Sequence, residues 1–140
     1  MTLGELFGEK LREGRFLGWL AGSLEYYEQL FREDLGVWKG RRGRAFIGFE
    51  QEGDKVVIVF LTTSPDKHNK REVNLKEHCY IRCSFIKPVA HLHRNRNTQS
   101  YRGYVIYKEL LKEEDYQVCG FCKDLESILN MVEKIEISKT

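Results

Sequence analysis

The chain has no apolar run approaching the ~18 residues that would carry it across a bilayer as a helix. Its opening stretch, MTLGELFGEKLREG, is broken by charge within nine residues and does not read as a secretory signal. No P-loop, dinucleotide fingerprint or nucleophile elbow occurs, which removes three large enzyme classes. Internal repeats, linkers and low-complexity segments are also missing. At 140 residues the expectation is one cytoplasmic domain over 1–140 with no membrane contact. A chain of this size buries roughly two-thirds of its unfolded surface, so no metal, cofactor or disulfide is required to hold a core.

What is present is an uneven distribution of charge beneath a net +2. Residues 1–36 sum to −3, residues 37–107 to +8 and residues 108–140 to −3. A basic middle between acidic ends fits a surface for an anionic polymer. The Glu113-Glu114-Asp115 run reads as a solvated helix end rather than a metal cluster.

Periodicity divides the chain into the same three spans. Thr2 and Glu5 form a capping-box pattern ahead of Leu3, Leu6, Phe7 and Leu11, and a second helical face starts after Ser23. Residues 1–36 are therefore expected to be a helical extension interrupted by Gly14, Gly18 and Gly22. RAFIGFE and KVVIVFLTT flank QEGD and predict a hairpin. CYIRCSFIK (79–87) alternates as a strand until Pro88, and RGYVIY (102–107) predicts another. A helix is expected over 108–114. Leu125, Ile128, Leu129 and Val132 predict a C-terminal helix, with KIEIS as a short terminal strand. The fold class implied is α+β: a curled antiparallel barrel over 37–112 with a helical extension before it and a helix and tail over 113–140.

Two basic stretches are candidates for phosphate contact. Lys39, Arg41, Arg42 and Arg44 lie among Gly36, Gly40 and Gly43, where the backbone can approach a ligand closely. His91, His93, Arg94, Arg96 and Arg102 surround Tyr101, the mixture of cations and an aromatic that holds single-stranded RNA. Both stretches also read as ordinary solvated loops. A hairpin places the start of its first strand beside the end of its second. Arg44 should therefore neighbour Thr62 and Thr63 despite the seventeen residues between Arg44 and Thr62.

The text Arg44-Ala45-Phe46-Ile47, followed by Phe60-Leu61-Thr62-Thr63-Ser64 and by YRGYVIYKELL (101–111), resembles the PemK/MazF-like toxin ribonucleases over about residues 37–112. Ala45 and Phe60 stand where that family carries proline, and Arg42 competes with Arg44 for the arginine position. The resemblance implies a small Src-homology-3-like barrel that cleaves single-stranded RNA without a metal. It places Arg44 and Thr62 in the active groove, with Arg44 on the scissile phosphate and Thr62 bonding it as charge develops. It further implies a homodimer and a protein antitoxin. His91 and His93 are the candidates for a general acid or base, histidine being the residue type that serves that role most often. The alternatives are a nucleic-acid-binding barrel without catalysis and a zinc-stabilised interaction domain.

The last alternative rests on the four cysteines. A strand over 79–87 would set the Cα atoms of Cys79 and Cys83 about 13 Å apart, too far to share one zinc, so they are expected to fill the core as small hydrophobes. Cys119 and Cys122 form C-x2-C at the mouth of the expected helix. A zinc half-site, a redox pair, a local disulfide and ordinary cysteines all stay open there.

Overall fold

The computed structural model describes residues 15–20, 44–51, 54–62, 70–94, 97–110 and 116–136. Nine strands run in chain order: β1 (Arg15–Leu20), β2 (Arg44–Gln51), β3 (Lys55–Phe60), β4 (Lys70–Asn74), β5 (Cys79–Ile81), β6 (Val89–His93), β7 (Tyr101–Tyr107), β8 (Tyr116–Cys122) and β9 (Val132–Glu136). Two one-turn helices, α1 (Leu75–His78) and α2 (Glu126–Leu129), and a 3-10 turn at Lys108–Leu110 complete the described elements.

Seven strands form one sheet in the order β5-β8-β1-β2-β3-β7-β9, and β4 pairs with β6 in a second. Among the described residues the sheets do not close, so the expected barrel is replaced by an open sheet with β5 and β9 at its edges. The β2–β3 hairpin does form, with Phe46 opposite Phe60 and Gln51 opposite Lys55. β9 joins parallel to β7 and presents Glu133, Lys134 and Glu136 to solvent, charges that discourage further pairing at an edge.

The helical extension expected over 1–36 is contradicted within its described part, where residues 15–20 are β1 between β8 and β2. RFLGWL lies in mid-sheet and buries Phe16 and Leu20 on one face and Leu17 on the other. A doubly buried strand loses the alternation that marks strands. Gly18, read as a helix breaker, has a packing role. It lies opposite Phe46, and Gly48 lies opposite Phe16. Each ring covers the glycine across from it, and the rings meet edge to face at 5.4 Å.

The C-terminal helix is also corrected. Leu125 and Ile128 are buried, but the helix stops after one turn and Val132 opens β9. A four-residue helix has no stability of its own, and pairing with β7 supplies Val132–Glu136 with a backbone ladder instead. The strand expected over 79–87 ends at Ile81, and residues 82–88 are turns.

One face of the large sheet packs Leu17, Ile47, Val59 and Leu61 against Val73, Leu75, Ala90 and Leu92 from β4, α1 and β6. The small sheet is tied to the large one through the end of β3. The Thr62 amide donates to the His91 carbonyl at 3.0 Å, and the His91 amide returns a bond to the Thr62 carbonyl at 2.7 Å. Where the two sheets meet at this end, they leave a cavity.

Candidate phosphate-binding pocket

The cavity holds about 250 Å³ and opens to solvent at the junction of β1, β2, the end of β3, α1 and the 85–90 segment. Ala45, Leu61, Leu75, Ile86 and Ala90 supply apolar surface. Arg44, Lys87 and Thr62 supply the polar groups, and Trp19 and Phe85 the aromatic ones. No carboxylate is among these lining residues, so the cavity is cationic. Its volume lies just below the ~300–1,000 Å³ of pockets that hold whole drug-sized ligands.

Arg44 is set by β-pairing on both sides of its strand. Its partner on β1 is Leu20, and the following Ala45 carbonyl accepts from the Leu61 amide at 2.9 Å. The Arg44 guanidinium lies 5.9 Å from the Phe60 ring centroid, a cation–π contact that restrains the side chain. Thr62 is 7% exposed, a buried polar residue beside an otherwise apolar surface. Trp19 and Phe85 meet edge to face at 5.1 Å, and Phe85 keeps 48% of its surface exposed.

Of the residues singled out in the sequence, Arg44 and Thr62 share this cavity. His91 is joined to Thr62 through the main chain but does not line the cavity. Its imidazole is half-buried, with Nε2 3.8 Å from a Glu72 carboxylate oxygen and Nδ1 buried without a hydrogen-bond partner among the described residues. His93 pairs with Lys70 through the β4–β6 backbone. Arg94 bridges to Tyr101, and its Nε is buried without a hydrogen-bond partner among the described residues. Arg102 is exposed on β7 opposite Glu133. Lys39, Arg41, Arg42, Thr63 and Arg96 lie outside the described residues.

Tyr101 is not the exposed stacking ring that the sequence suggested. It is fully buried, and its hydroxyl accepts from Arg71 Nη1 at 3.1 Å. The exposed aromatic surface is supplied instead by Phe85, with Trp19 behind it. Sequence reasoning missed Trp19, Phe85 and Lys87. The available signal was the Phe85-Ile86-Lys87 run stopped by Pro88, where a strand cannot continue regularly.

The cysteines pair as Cys79–Cys122 and Cys83–Cys119. Cys79 and Cys83 are therefore not the free core fillers expected, and of the alternatives left open for Cys119 and Cys122 the local disulfide is not the one formed. The C-x2-C motif lies in β8, not at a helix mouth. Among the described residues no group of His, Cys, Asp or Glu is arranged to hold a metal.

Chemically, the cationic residues of the lining are Arg44 and Lys87, and Thr62 is its hydroxyl-bearing residue. These can bind a phosphate and stabilise charge developing on it. An arginine retains its proton across the physiological range, so the lining residues bind far better than they accept protons. No family model matches the chain, no curated protein matches it in sequence, and no solved structure matches it.

Proposed function

We propose that the protein binds single-stranded RNA at this cavity, with a backbone phosphate between Arg44 and Thr62 and a base against Phe85. The observation that carries the reading is the convergence of Arg44 and Thr62 on one cationic cavity with an exposed aromatic at its rim. The +8 of residues 37–107 supports it, because such a field raises the encounter rate with a polyanion.

A second reading is favoured by the identity of that pair. Arg44 and Thr62 are the two residues that the PemK/MazF-like resemblance assigns to catalysis, and their proximity supports an RNA-cleaving groove of that type. A homodimer and an inhibiting antitoxin belong to this reading. The two separate on incubation of end-labelled single-stranded RNA, and of its DNA copy, with purified protein and a chelator. Binding without shortening supports the first reading. Fragments from RNA alone, absent with Arg44→Ala, support the second. An RNA that is neither retained nor cut refutes both.

A further inference from the structure

We infer that the Cys83–Cys119 disulfide is a redox latch on the wall of the pocket, opened by dithiols and closed by oxidation. The proposal concerns regulation of the site described above. It rests on the RNA-binding reading for its consequence but not for its mechanism.

The wall in question is the segment after β5. Phe85, Ile86 and Lys87 line the cavity, yet residues 82–88 belong to no strand or helix. β5 itself is an edge strand of three residues, registered to β8 through Cys79–Cys122, Tyr80–Phe121 and Ile81–Gly120. Past Ile81 the segment is held by the Arg82 amide donating to the Cys119 carbonyl at 2.6 Å, by a turn bond from the Ile86 amide to the Cys83 carbonyl and, at its far end, by the Leu75 amide donating to the Pro88 carbonyl at 2.7 Å. Between the two ends the covalent tie at Cys83, two residues before Phe85, fixes the wall to β8.

The two disulfides differ in access. Cys79–Cys122 joins residues directly opposite each other on β5 and β8, and both are buried, at 9% and 2% exposure. In the other bond Cys119 is fully buried, whereas Cys83 is only half-buried, and the exposed Gln117 amide donates toward its sulfur at 3.7 Å. Thiol–disulfide exchange requires a thiolate to reach one sulfur of the bond. Cys83 Sγ is the sulfur most open to that approach.

The step balances with a dithiol as the reductant. Its thiolate attacks Cys83 Sγ, forming a mixed disulfide and expelling Cys119 as a thiolate that takes up a proton. The second thiol of the reductant then attacks its own sulfur of the mixed disulfide. This frees Cys83 as a thiol and leaves the reductant oxidised. Two electrons and two protons pass to the protein. Cys79–Cys122 stays closed and keeps β5 on β8 while the 83–87 wall is released.

The test compares oxidised protein with protein treated briefly with dithiothreitol. Alkylation and mass spectrometry should find Cys83 and Cys119 labelled before Cys79 and Cys122. Equal labelling of all four, or the reverse order, overturns the latch. Amide exchange over 82–88 should accelerate about tenfold while β3 stays protected. Unchanged exchange, or loss of protection throughout the chain together, also overturns it. The variant C83A/C119A should reproduce the fast exchange without reductant, and C79A/C122A should not. Single-stranded RNA should be retained better by the oxidised form. If neither form binds RNA while the exchange result holds, the RNA reading fails and the latch stands.

Discussion

The two disulfides are nested, and nesting makes a quantitative prediction about stability. Cys79–Cys122 spans 43 residues and encloses Cys83–Cys119, which spans 36. Taken alone, either closure is worth about 4 kcal/mol through lost entropy of the unfolded chain. The second bond to form closes a much smaller loop, because Cys83 is only four positions after Cys79 and Cys122 three positions after Cys119. A loop of about seven residues contributes only ~2.4 kcal/mol by the same relation. Removing either bond by a pair of Cys→Ala changes should therefore cost about 2–2.5 kcal/mol, and removing both about 6. The quadruple variant should lose about 1.5 kcal/mol more than the two pairs summed, well beyond the ~0.5 kcal/mol scatter of independent sites. The packing lost with the sulfurs enters single and combined variants alike and cancels from the cycle. Urea denaturation of the four proteins measures it. Simple additivity, or a combined loss smaller than the sum, would refute the loop-closure account. Since small domains are stable by about 5–15 kcal/mol, the fully reduced chain should be near its threshold for folding.

Other predictions follow from single positions. Gly120 has a φ of +151°, and a Cβ there would overlap the Tyr80 carbonyl of the neighbouring strand. Gly120→Ala should cost about 2–4 kcal/mol from strain and overpacking together, lower the Tm and expose β5 to exchange. Gly48→Ala would set a methyl 2.5 Å from the Phe16 ring, which can shift more readily than backbone. It should cost about 1–3 kcal/mol, and a Tm as high as that of the parent would count against the ring-over-glycine packing. The hydrogen bond from Lys55 to Glu136 raises the Lys55 pKa above its ordinary 10.5. A raised lysine pKa contributes stability in full below the ordinary value and loses it as pH rises through the folded one. The Tm gap between the parent and Lys55→Met should accordingly be constant near neutrality and narrow above pH 10.5. A gap that persists there would contradict this link.

The sequence carried the β2–β3 hairpin and the nearness of Arg44 to Thr62 because both are local. An apolar alternation, a turn and a two-strand register determine them without reference to the rest of the chain. What it did not carry depends on long-range partners. RFLGWL reads as part of a helical extension until β8 and β2 flank it, and the short terminal strand expected from KIEIS starts two residues earlier, at Val132, where β7 offers an edge. The pairing of Cys79 with Cys122 needs the β5–β8 register, which connects residues 43 apart. Tyr101 was misjudged for a related reason. Its basic neighbours suggested a loop, but it lies in β7 under β4, where Arg71 meets its hydroxyl. The aromatic at the pocket came instead from the turn that follows Cys83, two residues after a disulfide to β8.

The disulfides also bear on the compartment expected from the sequence. Stable disulfides are characteristic of oxidising environments, and in a reducing cytosol those that form are usually transient or redox-sensing. In the first setting the latch would stay closed. In the second, the RNA affinity of the site would follow the dithiol supply.

The central claim is that Arg44 and Thr62 together hold an RNA phosphate, and equilibrium binding of a short single-stranded RNA to oxidised protein tests it most directly. Arg44→Ala should weaken binding by about tenfold or more, as expected for a charge-assisted phosphate contact of ~1.5–3 kcal/mol, and should flatten the dependence on salt by about one counterion. Thr62→Val should weaken binding with the salt slope unchanged. Affinity and salt slope that both survive Arg44→Ala would contradict the account, whatever else in the chain binds RNA.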